Sequence, residues 1–86
     1  MEDKITVHIA DDHQILIDGV KAVLNLEPKI EVTGFSLNGN EVVEWFKENQ
    51  ANVLVLDINM PELDGIQVLK KLKDEKNKPE IIVLSS

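Results

Sequence analysis

The sequence contains no cysteine and no arginine, and each absence excludes a class of function. Without cysteine, the 86-residue chain forms no disulfide, has no thiol chemistry and would need other ligands to bind zinc. Arginine is the side chain best suited to a two-pronged contact with phosphate or guanine. All nine basic residues are lysines, and sixteen acidic residues bring the formal net charge to -7. We therefore expect no direct nucleic-acid binding by this chain.

Aromatic residues and long apolar runs are also scarce. Phe35, Trp45 and Phe46 are the only aromatic residues, too few for a platform on which bases stack. No apolar run is longer than the four residues of 53–56 or 81–84, which excludes a membrane span. No apolar signal region precedes the first strand-like segment, so the predicted compartment is the cytoplasm. The length predicts one small domain, 1–86, with one modest core.

Apolar patterns along the chain predict seven alternating elements. Residues 5–10 begin with alternating apolar and polar side chains, a pattern that indicates a strand. Residues 53–56 and 81–84 lack this alternation, which is typical of strands covered on both faces. Strands are predicted at 5–10, 30–35, 53–56 and 81–84, and helices at 13–26, 38–50 and 64–76. Strands that alternate with helices indicate right-handed crossovers, so the predicted fold is α/β with a doubly wound parallel sheet.

Two residues inside the predicted helices are best explained by packing. Gly19 weakens the first helix by roughly 1 kcal/mol relative to alanine, and we expect close packing against a neighbouring element to explain it. Trp45 is predicted to pack from the second helix.

Polar side chains follow three of the four predicted strands. Asp11 and Asp12 follow the first strand, Asp57 ends the third, and Ser85 follows the fourth. Ligands of an open parallel sheet bind outside the carboxyl ends of its strands, so these residues are expected at one edge. Three carboxylates there would repel one another unless a cation neutralised them.

The chemistry of this edge suits a hard divalent cation. Oxygen ligands with open positions are typical of Mg2+, and a carboxylate beside it can act as a nucleophile that forms an acyl phosphate. The Ser85 hydroxyl could donate a hydrogen bond to the attached phosphoryl group. A single aspartate after a strand is more often a helix cap, and Asp12 could serve only that purpose. His13 could be a metal ligand or a proton shuttle, but an exposed position in the first helical turn is the simpler interpretation.

These residues carry a resemblance to a known family. Ala10-Asp11-Asp12-His13, the stretch from Asp57 to Gly65 with its D-x-x-M-P-x-x-D-G pattern, and Ile81–Ser85 resemble the receiver domain of bacterial two-component response regulators. The Asp-Asp-His opening and the Asn38-Gly39 turn are similar to the LuxR/NarL-type subgroup.

The resemblance implies a flavodoxin-like receiver fold and a role for each matching residue. Asp57 would accept a phosphoryl group from a phosphohistidine on a sensor histidine kinase. Asp12 and Asp57 would give carboxylate ligands to Mg2+, Asn59 a backbone carbonyl, and Asp11 a ligand through water. Ser85 matches the switch residue that moves toward the phosphoryl group. Ser86 matches a small residue that leaves room.

The chain departs from the family pattern after the fourth strand. A complete receiver continues into a fourth helix, a fifth strand and a fifth helix, and the fifth strand brings an aromatic switch residue and a lysine that contacts the phosphoryl oxygens. Neither residue has a counterpart in 1–86, so this chain is expected to be a partial receiver domain in which phosphorylation is slow or absent. Its fourth strand would be a sheet edge, with the first helix alone covering one sheet face. We expect self-association through that edge and the uncovered face.

Three classes of function remain open. The favoured one is a signalling module that catalyses only its own phosphorylation and dephosphorylation and then switches an output or partner. The second is a non-catalytic receiver-derived module that pairs with another receiver. The third, less favoured, is an aspartyl-phosphate hydrolase, which usually has an acid/base carboxylate two residues after its nucleophile, where this chain has Asn59.

Overall fold

The fold is seen in a computed structural model that describes residues 4–60, 64–75 and 78–84. Within these residues the elements are β1 (Ile5–Ala10), α1 (Gln14–Leu24), β2 (Ile30–Ser36), α2 (Gly39–Glu48), β3 (Val53–Asp57), α3 (Gly65–Leu72) and β4 (Glu80–Leu84). The strands are all parallel and lie in the order β2-β1-β3-β4. Because β2 and β3 lie on opposite sides of β1, the topological switch point falls between β1 and β3. The predicted doubly wound α/β fold is confirmed.

The larger core fills the space between the sheet and helices α2 and α3. Leu54 and Leu56 of β3 point to this side and are fully buried. Val42 of α2, and Val68 and Leu72 of α3, cover them at the helical spacing that creates an apolar stripe. Burial on this face explains why β3 has a continuous apolar run: its other side chains meet the core on the opposite face.

The smaller core lies under α1 on the other face of the sheet. Ile17 is the side chain of α1 that is fully buried, and it packs with Val7 and Ile9 of β1 and Val55 of β3. Gly19 does not pack closely, so the sequence-based expectation for this residue is wrong. A Cβ built on Gly19 would have no atom within 4 Å, because this part of α1 faces outward.

The strand β4 is exposed, in contrast to the prediction that both of its faces are covered. Ile82 is 53% exposed and Leu84 is 41% exposed, because β4 is the edge strand and α1 lies away from it. Leu16 and Val23 of α1 are also exposed on this side of the sheet. We call Leu16, Val23, Ile82 and Leu84 the uncovered face. Among the described residues α1 is the only helix on this side of the sheet, as expected.

The strand β1 does not expose its polar positions as simple alternation suggests. His8 is 0% exposed, although the pattern predicts an outward-facing side chain. It lies beneath α2, with its ring centroid 4.2 Å from that of Trp45 and 5.6 Å from that of Phe46. A register shift pairs Val7 with Val32 and then His8 with Gly34. In the resulting bulge Gly34 lies against the His8 ring, and a Cβ on Gly34 would be only 3.0 Å from His8 Nδ1.

The helix α3 is shorter than its charge-rich sequence suggests. It ends at Leu72, whereas the prediction extends it to Lys76, which lies outside the described residues. Leu72 is the last residue of its buried stripe, and the charged residues that follow have no core to cover. Among the helices of the described residues, none is long and apolar enough to cross a membrane.

Candidate functional site

The carboxyl ends of β1 and β3 bring two buried aspartates to the same edge of the sheet. Ala10 pairs with Leu56, so the residues that come next along each strand, Asp11 and Asp57, lie side by side. Asp11 is 4% exposed and Asp57 is 5% exposed. Burial of two carboxylates is costly unless hydrogen bonds or a cation compensate for their charge. We call Asp11, Asp12 and Asp57 the acidic cluster.

The turn between β1 and α1 holds Asp11 in position through a hydrogen bond from His13. The His13 backbone N–H donates a hydrogen bond to Asp11 Oδ1 over 2.9 Å, which makes a local turn around Asp12. On its other side, the Asp11 backbone N–H donates to the carbonyl of Ser36 at the end of β2, 3.1 Å away. The aspartate is thus fixed between the turn and the sheet.

His13 is exposed, as the simpler interpretation expects, but it also lies against the acidic cluster. Its side chain is 62% exposed, yet Nδ1 lies 3.0 Å from Asp11 Oδ1 and 2.9 Å from Asp12 Oδ1. The hydrogen bond with Asp11 and then the negative charge of Asp12 raise the pKa of His13 above its ordinary value. The Asp-Asp-His run was the only sequence signal that could have assigned it to the site.

The loop after β3 orients Asp57. The Asn59 backbone N–H donates to Asp57 Oδ1 over 2.9 Å, so Asn59 lies beside the site as the sequence predicts. Farther along, the Gly65 N–H donates to the carbonyl of Ile58, 3.2 Å away. A Cβ on Gly65 would lie 2.5 Å from the Ile58 Cα, a distance that does not occur in real contacts. Glycine is therefore required where α3 begins against this loop.

Capping fixes where α3 begins. The side chain of Asp64 accepts a hydrogen bond from the Gln67 N–H over 2.9 Å, and the Gln67 side chain accepts one from the Asp64 N–H over 3.2 Å. This reciprocal capping box begins α3 at Asp64, the residue with which the predicted third helix starts.

Ser85 and Ser86 lie outside the described residues. The last described residue, Leu84, pairs with Asp57 in the β3–β4 ladder.

The acidic cluster and His13 have the chemistry and spacing of a metal site. One ligand atom from each of Asp11, Asp12, His13 and Asp57 lies within 4.8 Å of all the others. The two buried carboxylates would fix an ion from the protein side, and the exposed positions of Asp12 and His13 leave the other side open. Three carboxylates with open positions fit Mg2+, which keeps several of its waters.

The family to which the chain belongs explains the acidic cluster at this edge of the sheet. The sequence profile of the response regulator receiver domain matches residues 7–86. The chain belongs to this family. Receiver domains act in two-component signal transduction, interact with sensor kinases, can dimerise, and bind Mg2+ at an acidic pocket.

Individual relatives support membership of the family. The chain is 36% identical over 84 residues to the transcriptional regulatory protein DegU of Brevibacillus brevis, covering 98% of this chain and 36% of DegU. It is also 36% identical over 86 residues to a protein-glutamate methylesterase/protein-glutamine glutaminase of Halalkalibacterium halodurans, covering 100% of this chain and 25% of that protein.

A solved receiver domain has the same fold. The signal receiver domain of the response regulator NarL from Mycobacterium tuberculosis superposes with a TM-score of 0.90 at 28% identity, covering 98% of this chain and 68% of that one. The DegU and NarL matches agree with the resemblance to the LuxR/NarL group. The chain spans well under half the length of the curated relatives it matches.

Proposed function

We propose that this receiver domain accepts a phosphoryl group on Asp57 from the phosphohistidine of a sensor histidine kinase in the cytoplasm, with Mg2+ held by the acidic cluster. The observation that supports this most strongly is the placement of Asp57 beside Asp11 at the switch point of the sheet, with Asp12 close by. An aspartate can form an acyl phosphate when nearby groups position it and neutralise the incoming charge.

Each residue of the site has a distinct part in this transfer. An Asp57 carboxylate oxygen attacks phosphorus, the bond from phosphorus to the donor imidazole nitrogen breaks, and that nitrogen keeps the electron pair. The Asn59 N–H on Asp57 Oδ1 restricts rotation of the carboxylate before attack. When bound, Mg2+ supplies positive charge for the phosphoryl oxygens. Asp12, Asp57 and the Asn59 carbonyl would hold it directly, and Asp11 would hold it through water. Ser85 would donate a hydrogen bond to the phosphoryl group.

Intact-mass analysis tests the proposal directly. The chain is incubated with Mg2+ and a small-molecule phosphodonor, beside an Asp57→Asn variant and a metal-free sample. We expect one phosphoryl adduct in the wild-type sample incubated with Mg2+ and none in the other two samples. An adduct of equal yield on Asp57→Asn, or no adduct on a folded chain, contradicts the assignment.

A second candidate function rests on the uncovered face. Ile82 and Leu84 present apolar side chains on an edge strand, and Leu16 and Val23 of α1 extend this apolar surface. Such a surface favours association, so a second copy of this chain is the partner we propose for it. Light scattering should show a dimer that Leu84→Lys weakens, whereas Lys47→Glu, on α2, should leave it intact. A monodisperse wild-type monomer would exclude this pairing function.

Hydrolysis of an external aspartyl-phosphate substrate is disfavoured. Asn59 cannot act as the acid or base two residues beyond the nucleophile, and its backbone N–H orients Asp57. The only reactions proposed for the chain are its own phosphorylation and dephosphorylation.

A further inference from the structure

His13 occupies the N-cap position of α1 without capping the helix. Its backbone is extended, with φ of -108° and ψ of 104°, as at other N-caps, but its side chain makes no capping hydrogen bond. Ser, Thr, Asp and Asn are preferred at this position because their oxygens accept a hydrogen bond from the first turn. The imidazole instead turns toward Asp11 and Asp12, so its placement serves the acidic cluster and not the helix.

We propose that Nδ1 of His13 is an additional ligand of the divalent cation at the acidic cluster, and that it shifts the preference of the site from Mg2+ toward ions that accept nitrogen. The inference deepens the proposed function because it concerns the same site. It requires only that the cluster binds a cation, and it does not require phosphoryl transfer.

The spacing of the donor atoms supports this role. Neighbouring ligand atoms of an octahedral ion with bonds of about 2.1 Å are separated by about 3 Å. His13 Nδ1 stands at 3.0 Å from Asp11 Oδ1 and at 2.9 Å from Asp12 Oδ1. The same distances allow hydrogen bonds when no ion is bound, so the imidazole is already in place before a cation arrives.

The chemistry of the donor set determines which ions would benefit. Carboxylates suit Mg2+ and Mn2+, whereas imidazole nitrogen suits Ni2+, Zn2+ and Cu2+. With three carboxylates alone, the site would distinguish these ions little beyond their general order of affinity for protein ligands. Adding one nitrogen strengthens binding of Ni2+ and its neighbours while giving almost nothing to Mg2+, which keeps oxygen ligands. His13 is thus a residue that determines metal specificity.

Calorimetric titration with Ni2+ and with Mg2+ tests this on the 86-residue chain, on His13→Ala and on Gln14→Ala. Gln14 is the neighbouring exposed residue and bonds to Asp18, away from the cluster. We expect His13→Ala to lower Ni2+ affinity by about tenfold or more and to leave Mg2+ affinity unchanged, while Gln14→Ala changes neither. If His13 merely positioned the aspartates, both ions would lose affinity by the same factor. That result, or no loss for either ion, overturns the proposal.

Pulsed electron paramagnetic resonance with Cu2+, one of the ions that accept imidazole nitrogen, gives a second readout that does not depend on affinity. The chain has only two histidines, and the other, His8, is fully buried away from solvent. Nitrogen modulation from a bound imidazole is expected in wild type and Gln14→Ala and should vanish in His13→Ala. Its absence in wild type, or persistence in His13→Ala, refutes ligation.

The two proposals fail in different ways. If Mg2+ binds without phosphorylation of Asp57, the proposed function fails and the His13 inference stands or falls by its own readouts. If Asp57 is phosphorylated with Mg2+ but His13→Ala changes no metal preference, the inference alone fails.

Discussion

Acidification should destabilise this domain through His8, a residue remote from the acidic cluster. His8 lies beneath α2, with its ring tilted against Trp45 and edge-on to Phe46, and its Nε2 is 2.7 Å from the Ser36 hydroxyl oxygen. Within the described part of the chain, its Nδ1 has no hydrogen-bond partner. None of these neighbours carries a charge, so nothing in contact compensates a protonated ring. Burial accordingly lowers the pKa of His8 from 6.5 to about 4.

The size and sign of the effect follow from proton linkage. The unfolded chain takes up a proton on His8 near pH 6.5, whereas the folded chain resists it until about pH 4. The neutral folded form is therefore fully favoured above pH 6.5, and this advantage is lost as the pH falls toward 4. The shift corresponds to about 3 kcal/mol in total, and about 2 kcal/mol of it is lost between pH 7.5 and pH 5.

Urea unfolding at pH 7.5 and pH 5, followed by far-ultraviolet circular dichroism, measures this loss. The matched variant is His8→Leu combined with Ser36→Ala, which keeps the slot filled and removes the hydroxyl that bonds to His8. Its absolute stability is immaterial, because only the pH dependence is compared. His13 has a raised pKa and contributes stability that increases with acidity, but this contribution is present in both proteins and cancels. Equal pH dependence in the two proteins would refute the reasoning.

Three further predictions concern the helices. Gly19→Ala should raise the free energy of unfolding by about 0.5–1 kcal/mol, because a methyl group there meets no atom within 4 Å; a loss of stability in urea unfolding would contradict this. Gly65→Ala should be destabilising, because its Cβ would meet the Ile58 Cα at 2.5 Å; a melting temperature equal to wild type would show that the loop yields freely. Asp64→Ala should cost about 1 kcal/mol by removing the cap that Gln67 shares, and Asp64→Asn should recover most of it; equal losses in the two variants would argue against the cap.

Local signals located the elements and most of their ends. Asn38 caps α2 by accepting from the Glu41 N–H over 2.9 Å, and Asp64 caps α3, both at positions that the sequence marks. These contacts span three residues, so neighbouring side chains alone specify them. The predicted C-terminal end of α3, at Lys76, lies beyond the observed end at Leu72. Lysine and glutamate after Leu72 favour helix locally, whereas Leu72 is the last residue of the buried stripe.

The candidate site was predictable because it depends on topology more than on packing detail. In a parallel sheet the carboxyl ends of all strands lie at one edge, so the residues that follow β1 and β3 meet there. This placement depends on the topology and not on how the side chains pack. Asp11, Asp12 and Asp57 are brought together as expected. For His13 the sequence leaves a metal ligand, a proton shuttle and an exposed side chain all open, because its position depends on the turn that points the imidazole back at the aspartates, and a sequence pattern does not fix a rotamer.

The order of strands and helices along the chain, the edge at which the aspartates meet and the starts of α2 and α3 all follow from patterns in the sequence. The burial of His8 and the room that Gly34 leaves for it depend instead on contacts between distant elements. The physical reason is range. Periodicity and capping act over a few residues along the chain, whereas burial depends on which distant element lies above each position of the sheet.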